Sequence, residues 1–295
     1  MNILAVNWDV SPEMFTLGTL TMRYYGFFFV LGFILGYFML RKFYRFEGVA
    51  EDEVDKLTLF SFIVAIVGAR LGHILFYEPD YYFHHPEKIL KIWQGGVASH
   101  GATVALIIGI WFYVRRKLPN YVWTLDRMAI PTALAAAFVR IGNLMNSEIF
   151  GHETSLSWGF RFVRSGKYLE YVEQKFQKPL SEIPIEVMPG MHPTQIYEAM
   201  SYIFIFLFLL VLYYRKKAET PTGLLSGWFL TLLFGARFFL EFFKLEQVDF
   251  EKGMLLNMGQ LLSLPFILFG IFMIVYAGKG KISRPVFQSK KPKKK

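Results

Sequence analysis

Hydrophobic positions in this chain neither alternate with polar ones nor gather on one helical face. They run nearly unbroken for stretches close to the ~20 residues that a helix needs to cross a ~30 Å hydrocarbon core. Seven such runs are present: Tyr24–Leu40, Leu57–Phe76, Val97–Val114, Met128–Met145, Ile196–Tyr214, Gly223–Phe243 and Leu255–Tyr276. The third and fourth are interrupted by polar residues at both ends. The pattern predicts an all-α integral membrane protein, a polytopic bundle of seven transmembrane helices. Between the fourth and fifth runs, residues 147–195 turn polar ("GKYLEYVEQKFQKPLSEIP"), enough for a small head subdomain outside the bilayer. "GARLGH" (68–73) and "GARFFLEF" (235–242) share too little to define a repeat.

Composition agrees: of 295 residues, 54% are hydrophobic and 18% aromatic, more than a soluble domain of this length carries. The first twenty residues have neither a basic start nor a small-residue cleavage site, so they are not read as a signal peptide. The absence of cysteine excludes disulfides and thiolate–metal sites.

Charge sets the orientation. "RKFYR" (41–45), "RRK" (115–117), "RKK" (215–217) and the terminal "SKKPKKK" follow runs one, three, five and seven. By the positive-inside rule the N-terminus lies outside, 147–195 lies outside, and 278–295 is a basic cytoplasmic tail. That tail reads as a solvated end of a membrane protein and not as a nucleic-acid binder.

Ionisable groups within the runs narrow the chemistry: Arg70, His73, His100, Arg140, Glu198, Arg237 and Glu241. Three arginines at membrane depth cost ~8–10 kcal/mol on insertion scales, so carboxylates, carbonyls, water or an anionic ligand must compensate them. Arg70, Arg140 and Arg237 each come about 12–14 residues into a run directed outward, roughly 18–21 Å up at ~1.5 Å per residue. His100, Glu198 and Tyr25 open runs at the outer face. The polar set therefore converges on one layer in the outer half of the bilayer.

Each has a bland reading beside a functional one. Arg237 and Glu241, four apart, either neutralise each other or hold a ligand together. Arg70 either pairs with Glu198 or Glu148 or binds ligand, and His73 reads as a packing or hydrogen-bonding residue. His84–His85 and His152–Glu153 lack metal-ligand spacing, and no metal is expected. His100, in "GGVASHGATVA", is either an interfacial polar group or a general base. Arg140 has Asn143, Asn146 and Glu148 close behind it. An arginine fork with amide donors suits a phosphate, and Gly142 and Gly151 permit close backbone approach. Lipid-phosphate chemistry and a transporter or channel for an anionic solute or lipid both fit these features. A metal-dependent phosphatidyl transferase fits less well, because Asp52, Asp55 and Asp126 fall at cytoplasmic loops.

The stretch Arg140-Ile-Gly142-Asn143-Leu-Met-Asn146-Ser-Glu148-Ile-Phe-Gly151 resembles the signature of the bacterial phosphatidylglycerol–prolipoprotein diacylglyceryl transferases. Further similar stretches are Tyr25-Gly26, "GARLGHILFY" (68–77), "WQGGVASHG" with His100, "HPTQIYE" (192–198), "GARFFLEFF" with Arg237 and Glu241, and "MGQLLSLP" (258–265). The resemblance covers about Tyr24 to Tyr276. It departs at Leu233, where the family often has a tyrosine one turn before the second arginine, at Val139 in place of a glycine, and through the loop 152–190.

The resemblance implies transfer of an sn-1,2-diacylglyceryl group from phosphatidylglycerol to the lipobox cysteine thiol of a prolipoprotein. A thioether forms and glycerol 1-phosphate leaves, without any cofactor. It implies a bacterial cytoplasmic (inner) membrane location with the active site toward the outer leaflet. Arg140 and Arg237 would hold the lipid phosphate with Asn143, His100 would be the base, and Glu241 would orient Arg237. Tyr25 would bond lipid or thiol, and Asn146, Glu148, Gly151 and Arg70 complete the expected substrate-binding set.

Overall fold

The computed structural model describes residues 5–18, 20–91, 96, 98–118, 120–245 and 255–279. The basic tail from 280 onward and Val97 lie outside the described residues. Nine α-helices are seen among the described residues: α1 (Tyr24–Phe46), α2 (Glu51–Phe76), α3 (Pro79–His84), α4 (Ser99–Lys117), α5 (Tyr121–Met145), α6 (Gly166–Phe176), α7 (Thr194–Lys216), α8 (Leu224–Leu240) and α9 (Met258–Gly278).

Among the described residues six segments are long and apolar enough to cross a membrane: Tyr24–Phe46, Glu51–Phe76, Tyr121–Met145, Thr194–Glu219, Leu224–Phe243 and Met258–Gly278. The chain is thus a multi-pass membrane protein. The expected run at Val97–Val114 corresponds to α4, which is not one of the six. Its polar opening at Ser99, His100 and Thr103 and its basic close at Arg115–Lys117 dilute the hydrophobicity. Several helices outrun their apolar windows. The acidic first turn of α2, Glu51–Glu53, favours the helix N-terminus. Glu51 also receives Arg41 at 2.8 Å and Arg45 at 2.6 Å from the end of α1.

Two packing modes build the bundle. α2 and α4 share far more with each other than with α1 or α5. They approach through glycine: a Cβ on Gly101 would lie 2.4 Å from the Gly68 carbonyl oxygen and 2.7 Å from Gly72 Cα. That is the small-residue contact by which membrane helices associate. α1, α5, α7 and α8 instead enclose an apolar core that includes Phe43, Ile130, Ala133, Ala137, Ile205 and Leu209.

At the end of the bundle carrying the basic runs, a buried polar knot fixes four helices. Glu47 takes a two-pronged hydrogen bond from Arg127 (2.9 and 2.8 Å), one from Trp123 Nε1 (2.7 Å) and one from the Tyr213 hydroxyl (2.9 Å). Asp126 accepts from the Gly223 and Ser226 amides at 2.6 and 2.8 Å, capping the start of α8 from α5.

The opposite end carries strands, which the all-helical expectation did not include. β1 (Val6–Asn7), β5 (Phe160–Arg161), β6 (Gly190–Met191) and β4 (Glu153–Thr154) form one sheet in that order, with β1 parallel to β5. β2 (Glu13–Leu17) and β3 (Leu20–Arg23) form a separate hairpin leading into α1. The sheet packs with α6 around Phe150, Phe162, Tyr168, Val172 and Met191. Arg161, 3% exposed, ties the sheet together by donating to the carbonyls of Ala5, Glu186 and Met188 and to Asn7 Oδ1. The polar stretch 147–195 reads in sequence as a self-contained head; in the structure the N-terminal strand is part of it.

Candidate active site

The end of α5 organises the site beneath the head. Its last two turns carry Arg140 and Asn143, and Asn146 is its C-cap residue. Glu148 Oε1 accepts from Asn143 Nδ2 at 2.7 Å and from Asn146 Nδ2 at 3.1 Å. Asn143 Oδ1 faces Arg140 Nη1 at 3.5 Å. The backbone around Glu148 is unusual: Ser147 and Ile149 have φ of +55° and +59°, left-handed values that side chains disfavour. They are held there from α7, where Gln195 donates to the Glu148 carbonyl (2.6 Å) and Thr194 to that of Ile149 (2.7 Å). This strained turn folds the carboxylate back onto the two asparagines.

Ion pairs extend the network. Glu198 on α7, fully buried, has Arg140 Nε at 3.1 Å on one oxygen and Lys244 Nζ at 3.0 Å on the other. Lys244 also reaches Glu241 at 3.0 Å. The expected Arg237–Glu241 pair is therefore corrected. After Leu240 the chain tightens into a 3₁₀ turn, Glu241–Phe243, where residues three apart eclipse, so Glu241 meets Lys244. Arg237 makes no ion pair or hydrogen bond among the described residues. Tyr202, one turn after Glu198 and 3% exposed, lies within electrostatic reach of both Arg140 and Arg237.

Tyr25 joins from α1, within electrostatic reach of Glu148 and Arg140. Its ring packs on Gly142, where a Cβ would lie 2.7 Å from Tyr25 Cδ2. At Gly151 a Cβ would meet the Phe243 carbonyl oxygen at 2.1 Å. The two glycines thus admit a tyrosine ring and the backbone of the Glu241–Phe243 turn, a use the ligand-approach expectation did not foresee.

Arg70 and His100 lie apart from this network. Arg70 pairs with neither Glu198 nor Glu148; it donates to the carbonyls of Lys88, Ile89 and Gly96 at 2.6, 2.9 and 2.9 Å and lies over the Tyr82 ring. Loop carbonyls without partners need donors, and a guanidinium supplies five. His73 packs on Tyr77 and sits 3.4 Å from Glu78. His100 lies at the start of α4 against Phe76 and Tyr77, exposed, with no hydrogen bond to either ring nitrogen among the described residues. Among the described residues no cluster of His, Asp or Glu converges as a metal site would require.

Sequence reading missed Lys244, Gln195 and Tyr202. Lys244 falls one residue past the sixth apolar run, and so does not count as an intramembrane charge. Gln195 falls one residue before the fifth. Tyr202 looks in sequence like one aromatic among many.

Among the described residues Arg237 has no carboxylate partner, and Arg140 is oriented by Glu198 and Asn143. The model of the prolipoprotein diacylglyceryl transferase family matches residues 12–276. A Tolumonas auensis protein named phosphatidylglycerol–prolipoprotein diacylglyceryl transferase is 44% identical over 275 residues, 93% of this chain and 98% of its own. Proteins of the same name from Porphyromonas gingivalis and Bacteroides fragilis are 43% and 38% identical, each over 95% of this chain and at least 97% of their own. On this match over nearly its whole length, the chain belongs to the prolipoprotein diacylglyceryl transferase family.

Proposed function

We propose that this protein transfers the diacylglyceryl group of phosphatidylglycerol to the lipobox cysteine thiol of a prolipoprotein. The sulfur attacks the glycerol carbon that bears the phosphate, a C–S bond forms, and the C–O bond to phosphate breaks. The thiol proton passes to a base, and glycerol 1-phosphate leaves with the bonding pair on oxygen. The observation that carries this reading, beside family membership, is Arg237, half-buried and without a counter-ion among the described residues, in the same layer as Arg140. Growing negative charge on a departing phosphate is what fixed cations in a dry site stabilise.

Arg140 and Arg237 bind the lipid phosphate, with Asn143 on the same headgroup. Asn146, Glu148 and Gly151 hold that strand of the site in shape, Tyr25 bonds lipid or thiol, and Glu241 acts through Lys244. His100 is the base. A free thiol of pKa ~8.5 is only a few per cent thiolate at neutral pH, and no ring nitrogen of His100 is hydrogen-bonded among the described residues, so the unprotonated one can take its proton. Arg70 serves by ordering the loop that leads to His100. The head faces the outside, and the end with the polar knot and the basic runs faces the cytoplasm of a bacterial inner membrane, with α4 as a seventh span.

A transport reading finds little support. The middle of the bundle, around Ile130, Ala133, Ala137, Ile205 and Leu209, is apolar, and the charges gather at its two ends.

The test is direct. Purified protein is mixed with phosphatidylglycerol and a peptide bearing a lipobox cysteine, and mass spectrometry follows the diacylglyceryl thioether and glycerol phosphate. Equal amounts of both, lost in Arg140→Ala, are expected. Folded protein that binds the lipid yet forms no thioether would overturn the reading.

A further inference from the structure

Between the head and the charged layer lies a cavity of about 240 Å³, walled by Ile149, Phe150, Lys167, Lys244 and Leu245. Three independent features mark it. Lys244, 5% exposed, donates one hydrogen bond to Glu241 and is ion-paired with Glu198 at 3.0 Å, and its ammonium makes no other hydrogen bond among the described residues. Lys167 occupies the first turn of α6, which carries no acidic residue. A helix start already favours anions, and carboxylates ordinarily sit there; a lysine adds positive charge instead. Ile149 is a β-branched residue held at φ +59°, strain of a kind that collects at functional sites.

The cavity adjoins the place where phosphate is set free, because Glu198 bridges Lys244 to Arg140. Its size falls below the ~300 Å³ at which pockets for drug-sized ligands begin, so it suits a small polar ion and excludes a two-chain lipid.

We propose that this cavity is a product site, binding the glycerol phosphate monoester after the C–O bond has broken and before it reaches water. The assignment rests on the transferase reading for the identity of the ion. The chemistry of the walls calls for a phosphate monoester dianion, held by the Lys244 and Lys167 ammonium groups and the start of α6.

Full-length protein in phosphatidylcholine nanodiscs, free of phosphatidylglycerol, is titrated calorimetrically with sn-glycerol 1-phosphate and, separately, with inorganic phosphate. Saturable binding of the glycerol ester is expected, tighter than that of inorganic phosphate. Lys167→Glu, on an exposed residue, should weaken it at least ~5-fold. Ile149→Trp, which fills the cavity, should abolish it. Inhibition of transfer by added glycerol 1-phosphate should weaken by the same factor in Lys167→Glu. Parent-like binding in Lys167→Glu, or no binding by the parent protein, overturns the product site even if transfer proceeds. Lysine-dependent binding in a protein that forms no thioether overturns the transferase reading and leaves a phosphate-monoester site.

Discussion

At the scale of single residues the site depends on geometry more than on net charge. Arg140 is placed by Glu198 and Asn143, and a lysine there would keep the charge while losing the planar fork. Arg140→Lys is expected to lower kcat/KM by about 10²-fold or more, the cost of losing one fixed donor to developing charge, in the thioether assay. Lys244→Met leaves Glu198 and Glu241 buried with one cation fewer, and loss of a partner from such a cluster costs about 3–5 kcal/mol. Its thermal unfolding in detergent should shift well below that of the parent. His192, hydrogen-bonded to Tyr197 and packed on Phe243, titrates below the usual histidine range because of burial and, secondarily, nearby His152. The unfolded chain therefore binds the proton more readily. This group's contribution to stability is complete above the ordinary value of ~6.5 and is lost as pH falls from there through its lower folded value. Tm measured from pH 7.5 to 5 should fall less in His192→Gln than in the parent. Much of this layer is legible in the sequence, because Arg140, Asn143, Asn146 and Glu148 lie within nine consecutive residues at one helix end. Partners brought from other elements are not: the Glu241–Lys244 pair depends on a helix tightening that spacing alone does not announce.

At the scale of helices, two contacts hold the elements in place and can be tested separately. Glu47→Gln keeps the shape of the knot but removes the nearer of the two carboxylates facing the buried Arg127, leaving Asp126 at 3.6 Å, and should destabilise the protein by about 3 kcal/mol in denaturant titration. Gly101→Val places a branched side chain where even a Cβ meets the Gly68 and Gly72 backbones, forcing α2 and α4 apart. Crosslinking between cysteines introduced at Val64 and Gly109, one α2–α4 contact further along, should lose efficiency in that variant. Helix positions are readable because an apolar run of about 20 residues is what a bilayer demands of a crossing helix and more than a water-soluble one needs. Helix ends are not readable, since charged residues such as Glu51 continue a helix once a neighbouring helix supplies partners.

At the scale of the whole molecule, the chain is a membrane bundle closed at one end by a buried polar knot and at the other by a strand-bearing head over a charged layer. The membrane character is plain from hydrophobicity, and the family from one short signature. The head is not readable, because its strands are two residues long and its order, β1-β5-β6-β4, joins segments far apart in sequence. That order has a consequence in time. Val6 and Asn7 find their sheet partners only once Phe160 and Arg161 have been made, and Arg161 completes its bonds only when Glu186 and Met188 follow. At 5–20 residues per second the first strand waits about 8–30 s, while the apolar spans Tyr24–Phe46, Glu51–Phe76 and Tyr121–Met145 are made behind it. During that interval the earliest part of the chain to emerge is the last to find its place.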